Sequence, residues 1–148
     1  MIYLSNSLFY LNIPQYNFGI SVVIVIILIL LSAFLSGSEV AIFGLTTAQK
    51  AKLKEDKNKN SERIINLLTD PKKLLATILI GNNLVNVAIV IVSSFIMNEI
   101  FENYYLSPLL NFIVQVVVVT FLILLFGEVI PKVYANNYNV NFSRLMAA

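Results

Sequence analysis

Three short polar runs hold the side chains able to do chemistry: Ser36-Gly37-Ser38-Glu39, Gly81-Asn82-Asn83 followed by Asn86, and Gly127-Glu128 ahead of Pro131. They offer hydroxyl, amide and carboxylate oxygens, and backbone carbonyls that a loosened glycine turn can expose. Hard cations such as Mg2+ prefer ligands of this kind. The sequence has no histidine and no cysteine. That removes the usual general base, the commonest transition-metal ligand and any thiolate or disulfide chemistry. A metal bound here must be held by oxygen. No nucleophile–base pairing is visible, so the chain is not expected to be an enzyme.

Asn82 and Asn86 are four residues apart and project from one helix face. Asn83 points about 100° away from Asn82 yet lies three from Asn86, so spacing leaves two faces open. A single carboxylate among neutral oxygens binds Mg2+ modestly, which suits an ion that must be released. The same residues have a structural reading. Asn and Ser within spans tie helices together, and Gly37 and Gly81 let another backbone approach closely or a helix loosen. Glu128 can snorkel to an interface, and Glu39 can pair with a lysine across the bundle.

The elements that must position these groups are apolar. Of 148 residues, 58% are hydrophobic and 12% charged, with a mean hydropathy of +0.82. So much apolar content would overfill a single soluble core. Three stretches reach the roughly 20 residues that cross a bilayer as a helix: about 18–45, 74–97 and 108–130. Their β-branched residues suit strands in water, but at these lengths spanning helices are the better reading. The start lacks the basic region of a cleavable signal and its apolar stretch is too long for one. The fold class is therefore an all-α integral membrane domain of three transmembrane helices.

Charge sets the expected topology. No charge precedes Glu39, whereas Lys50, Lys52, Lys54, Lys57, Lys59, Arg63, Lys72 and Lys73 follow the first span. The link from Asn98 to Ser107 carries only Glu99 and Glu102, and Lys132 and Arg144 follow the third span. The positive-inside rule predicts an outside N-terminus and a cytoplasmic Lys-rich segment and C-terminus. Tyr3, Tyr10, Tyr16, Tyr104 and Tyr105 fall at the outer interface. The lysines read as a solvated segment facing anionic lipid headgroups, not as a nucleic-acid surface.

Short cytoplasmic-side helices are expected in that segment. Thr46 and Gln49 have capping-box spacing. A polar turn at 56–60 precedes Ile64, Ile65, Leu67 and Leu68, the apolar face of an amphipathic helix on the membrane surface. Asp70 and Pro71 then fit the N-cap and first position of the second span. Counted along the helices, Ser36–Glu39 lies about 13 Å and Gly81–Asn86 about 12 Å from the cytoplasmic ends, and Glu128 is near the end of the third. All three runs fall in the inner half of the membrane.

Ser36-Gly37-Ser38-Glu39-Val40-Ala41, Asp70-Pro71-Lys72-Lys73, Gly81-Asn82-Asn83-Leu84-Val85-Asn86 and Phe126-Gly127-Glu128-Val129-Ile130-Pro131-Lys132 occur in this order. From about Ser32 onward the chain resembles the DUF21 transmembrane domain of the cyclin M/CorC magnesium transporters. The resemblance implies a homodimer in the bacterial inner membrane, with a belt at about 46–70 and a juxtamembrane helix starting at about 132–148. It implies a dehydrated Mg2+ site and Mg2+ export coupled to Na+. On the matching positions Ser36, Asn82, Asn86 and Glu128 would line that site, which selects the Asn82/Asn86 face. Ser38 and backbone oxygens near Gly37 and Gly127 are further candidates, and Glu39 is a structural charge.

Residues 1–17 would form an extracytoplasmic segment before the domain at 18–148. Family members continue into paired CBS domains that bind adenine nucleotide. This sequence stops where the juxtamembrane helix begins, so a fragment is expected. The wording SGSEVAIFGLT and LLFGEVIPKVYANN is similar to a gliding-motility-associated subgroup. That similarity implies an alternative role as a membrane scaffold for motility or secretion proteins, with little transport.

Overall fold

The computed structural model describes residues 18–56, 58–101 and 107–147. The tyrosines expected at the outer interface, Lys57 and Glu102 lie outside these residues. Among those described there is no strand. Three helices are long and apolar enough to span a membrane, Phe18–Phe43, Pro71–Phe101 and Pro108–Asn137. The protein is an all-α, three-span domain.

α1 (Phe18–Phe43) is the element around which the rest is arranged. It packs against α4 (Pro71–Phe101), α6 (Ile130–Asn137), α7 (Asn139–Met146) and a π-helical segment at Ile123–Val129. Buried polar side chains are all serines among the described residues: Ser21, Ser32, Ser36, Ser38, Ser61, Ser93 and Ser143. Large apolar side chains such as Leu30, Leu84 and Leu109 are 64–70% exposed. This inside-out pattern is the one lipid demands, because small residues let helices pack closely while tails solvate the large ones. Between α1, α4 and α5 (Pro108–Leu122), Ile89, Val119 and Ile123 form an apolar core with Val25, Leu28 and Ile29 against it.

The belt follows its local sequence. α2 (Thr47–Glu55) starts on a capping box, with the Gln49 amide donating to Thr46 Oγ1 and the Thr46 amide to Gln49 Oε1. Asn58 caps α3 (Lys59–Leu67), so Lys59 and Asn60 belong to that helix and not to the preceding turn. The face of α3 expected to lie on the membrane packs on protein instead. Ile64 is fully buried with Leu45, Leu53 and Ala147, while Ile65 and Leu68 lie alongside. Ala147 follows α7, a helix that packs on this face, and Leu67 is left the most exposed of its four apolar residues.

Helix ends are set by local chemistry. α4 begins at Pro71, as the Asp70-Pro71 pair predicts, with Asp70 accepting the Lys73 amide at 3.1 Å, and it runs past Met97 to Phe101, taking in Asn98 and Glu99. The third span does not stop at Ile130. Pro131 lacks a donor and its ring would crowd the carbonyl four residues back, that of Gly127. The helix widens there into seven π-helical residues and continues as α6.

Candidate functional site

The lengths of α1 and α4 show which residues lie level. Asn82 lies about 16 Å along α4 from Pro71, and on α1 the same distance from Phe43 reaches Ser32. Ser32 is fully buried. Its Oγ lies 3.0 Å from Asn82 Oδ1 and 2.8 Å from Asn86 Oδ1. From the third span, Glu128 Oε1 accepts a bond from Asn86 Nδ2 at 3.3 Å. Asn83 is exposed on another face of α4.

Each element contributes by a distinct device. α4 presents Asn82 and Asn86 on one face through their four-residue spacing. The π segment brings Gly127 against α1, where a Cβ would lie 2.9 Å from Ser32 Oγ. Only a hydrogen fits there without displacing the hydroxyl. The next residue, Glu128, reaches Asn86. Single π turns in helices often sit at functional positions, and here the turn sets both residues.

Asn86 is oriented by Glu128, which takes its Nδ2 and leaves Oδ1 toward Ser32. The Ser32 hydroxyl donates only once, and the Asn82 amide beside it brings its own donors and acceptor to the contact. The outcome is a cluster of hydroxyl and amide groups from α1 and α4 beside one carboxylate of the third span. Among the described residues no cluster of three or more acidic side chains exists. Glu39 is paired away from the group, 3.4 Å from Lys132 Nζ.

The remaining expected residues take other places. Ser36 lies on the same α1 face as Ser32, one turn nearer the belt. Its Oγ is buried and has no hydrogen-bond partner. Ser38 donates to the Phe34 carbonyl within α1. Gly37 lies under the Phe142 ring. α1 and α4 stay α-helical through Gly37 and Gly81, so neither glycine loosens its helix. A Cβ at Gly81 would make only ordinary contact with Leu35, at 3.6 Å. The close approaches are a ring at Gly37 and a hydroxyl at Gly127. Ser32 was absent from the expected set. Its four-residue spacing from Ser36 was the available signal, weak because a lone serine in Ile-Leu-Leu-Ser-Ala reads as packing.

Fold and site together define a multi-pass membrane domain with an oxygen-rich polar group enclosed by its spans. The chain belongs to the family of the cyclin M transmembrane N-terminal domain, whose model matches residues 23–148. It is 33% identical over 113 residues to a UPF0053 protein of Haemophilus influenzae, covering 76% of this chain and 26% of that one. It is 30% identical over 108 residues to the UPF0053 inner membrane protein YfjD of Escherichia coli, covering 73% and 24%. The chain thus spans about a quarter of the length of these relatives. The subgroup associated with gliding motility does not figure in these matches.

Proposed function

We propose that this domain carries Mg2+ across the bacterial inner membrane, binding it between α1, α4 and the π segment. The observation that carries the reading is the Ser32–Asn82–Asn86 contact beside Glu128, where part-buried oxygens from all three spans converge. A cation supplies the positive charge that such a group lacks. Mg2+ asks for about six oxygens in near-octahedral array. Ser32, Asn82, Asn86 and Glu128 would provide side-chain oxygens, and the Ser36 hydroxyl and the Gly127 carbonyl would be further donors of electron pairs. One carboxylate leaves the bound ion with excess positive charge, so it can be released. Membership in the cyclin M family supports Mg2+ as the ion, and export coupled to Na+ in a homodimer as the mode. The Lys-rich belt supports a cytoplasmic placement with the N-terminus outside. The role is transport and not enzymatic turnover.

The test is Mg2+ flux in proteoliposomes holding the full-length protein or its Asn86→Ala variant. Flux from the parent that falls at least tenfold in the variant supports the site. Equal flux from both would sink it, and no flux from either would favour a scaffold.

A further inference from the structure

α7 is fastened to the belt by polar contacts. Asn139 Nδ2 donates to the Gly44 carbonyl at 3.1 Å, and Gln49 Nε2 donates to Asn139 Oδ1 at 3.0 Å. Arg144 Nη2 donates to Asp56 Oδ2 at 2.7 Å, and Ser61 Oγ donates to the same oxygen at 2.9 Å. Asn60 Nδ2 reaches the Arg144 carbonyl and Arg63 Nη1 the Ala147 carbonyl. Belt and α7 are thereby joined into one unit at the end of the bundle.

From that unit a single ring reaches into the spans. Phe142 stands 5.9 Å from the Phe34 ring of α1 and 6.4 Å, edge-on, from the Tyr134 ring of α6, centroid to centroid. Its Cζ would lie 2.6 Å from a Cβ at Gly37. Only glycine admits the ring. The two helices it touches are those that deliver the candidate site, since α1 carries Ser32 and Ser36, and α6 continues the segment carrying Gly127 and Glu128. One turn after Glu128, Lys132 pairs with Glu39, two residues from Gly37.

We infer that Phe142 is a positioning residue: seated in the Gly37 socket, it sets the spacing of α1 and α6 and so the reach between Ser32, Asn86 and Glu128. The inference rests on the cation site proposed above. It assigns the glycine of Ser36-Gly37-Ser38 to the socket, and it makes the joint between belt and α7 the handle that moves the site.

Size exchange tests it in the full-length protein in detergent, with Mg2+ binding read by calorimetry and folding by size exclusion and thermal melting. Gly37→Ala puts a methyl where the ring sits, and Phe142→Tyr adds a hydroxyl at the ring carbon nearest α1. Each is expected to weaken Mg2+ binding about tenfold, while Gly37→Ala combined with Phe142→Ala recovers to within about threefold of the parent. Additive losses in that double variant, or a tolerated tyrosine, overturn the socket. Hydrogen exchange over residues 32–39 reads the same coupling without a cation, and Phe142→Ala is expected to speed it. Exchange that responds in a protein binding no Mg2+ keeps the socket and rejects the cation site. Binding that Asn86→Ala abolishes but the socket variants leave alone keeps the cation site and rejects the socket.

Discussion

The Ser32 hydroxyl lies 2.8 Å from the Asn86 side-chain oxygen, and this contact joins the first span to the second at the level of the third span's π turn. Asn82 approaches the same hydroxyl from the other side at 3.0 Å. In a membrane interior a polar side chain needs a partner. Serine and asparagine contacts of this kind also serve as interhelical glue. What favours a cation site here is the Glu128 carboxylate beside them and the unpartnered Ser36 hydroxyl one turn along α1.

Ser32→Ala removes the hydroxyl that bridges Asn82 and Asn86. Leaving their side chains without that partner costs about 1–3 kcal/mol. A detergent melting curve should therefore shift downward. Mg2+ binding by calorimetry should weaken at least tenfold, as for Asn86→Ala. An unchanged affinity with a lowered melting point would make Ser32 structural only.

Much of this arrangement could be read from residues. Apolar runs mark the three spans, Thr46 with Gln49 and Asp70 with Pro71 mark helix starts, and depth counting sets the polar runs near one level, although Ser38 and Glu39 take partners elsewhere. The choice between the Asn82 and Asn83 faces came from family resemblance, because two residues 100° apart on a helix cannot be ranked by spacing. Ser32 is hard to read because the resemblance points to Ser36, and a lone serine among Ile, Leu and Ala reads as packing. The apolar run ends at about Ile130, and nothing in it signals the widened turn that carries the helix past Pro131. Gly37 and Gly127 were legible as glycines. What they admit, a ring and a hydroxyl, depends on the rotation of neighbouring helices, which no one-dimensional pattern contains.

Gly127→Ala should act through Ser32. The added methyl would stand 2.9 Å from the serine oxygen, closer than carbon and oxygen pack, so the hydroxyl must swing off Asn82 and Asn86. We expect flux in proteoliposomes to fall about as far as in Ser32→Ala, with little further loss when the two are combined. Additive losses would mean that Gly127 contributes separately, through its carbonyl.

The Glu39–Lys132 pair joins α1 to α6 at 3.4 Å with its side chains 27% and 39% exposed. At such exposure the pair contributes about 0.5 kcal/mol after screening, too little to matter for folding. Its expected effect is on alignment. Glu39→Lys alone places two like charges together and should reduce Mg2+ flux several-fold, and Lys132→Glu added to it should restore most of the loss. Failure of the reversed pair to recover would show that Glu39 acts in its own right.

Ser36 separates binding from stability. Its hydroxyl is buried, with 1% of the residue exposed, and has no hydrogen-bond partner. A buried polar atom left unpaired costs about 1–3 kcal/mol. Ser36→Ala relieves that cost, so the variant without added Mg2+ should melt at or above the parent temperature. If the hydroxyl waits for a cation, the stabilisation that Mg2+ gives the parent should shrink in the variant, because ligand stabilisation follows affinity. The two effects have opposite signs and are read in one titration of melting temperature against Mg2+ concentration. Parallel curves for parent and variant would remove Ser36 from the site and leave it as a packing serine beside Ser32.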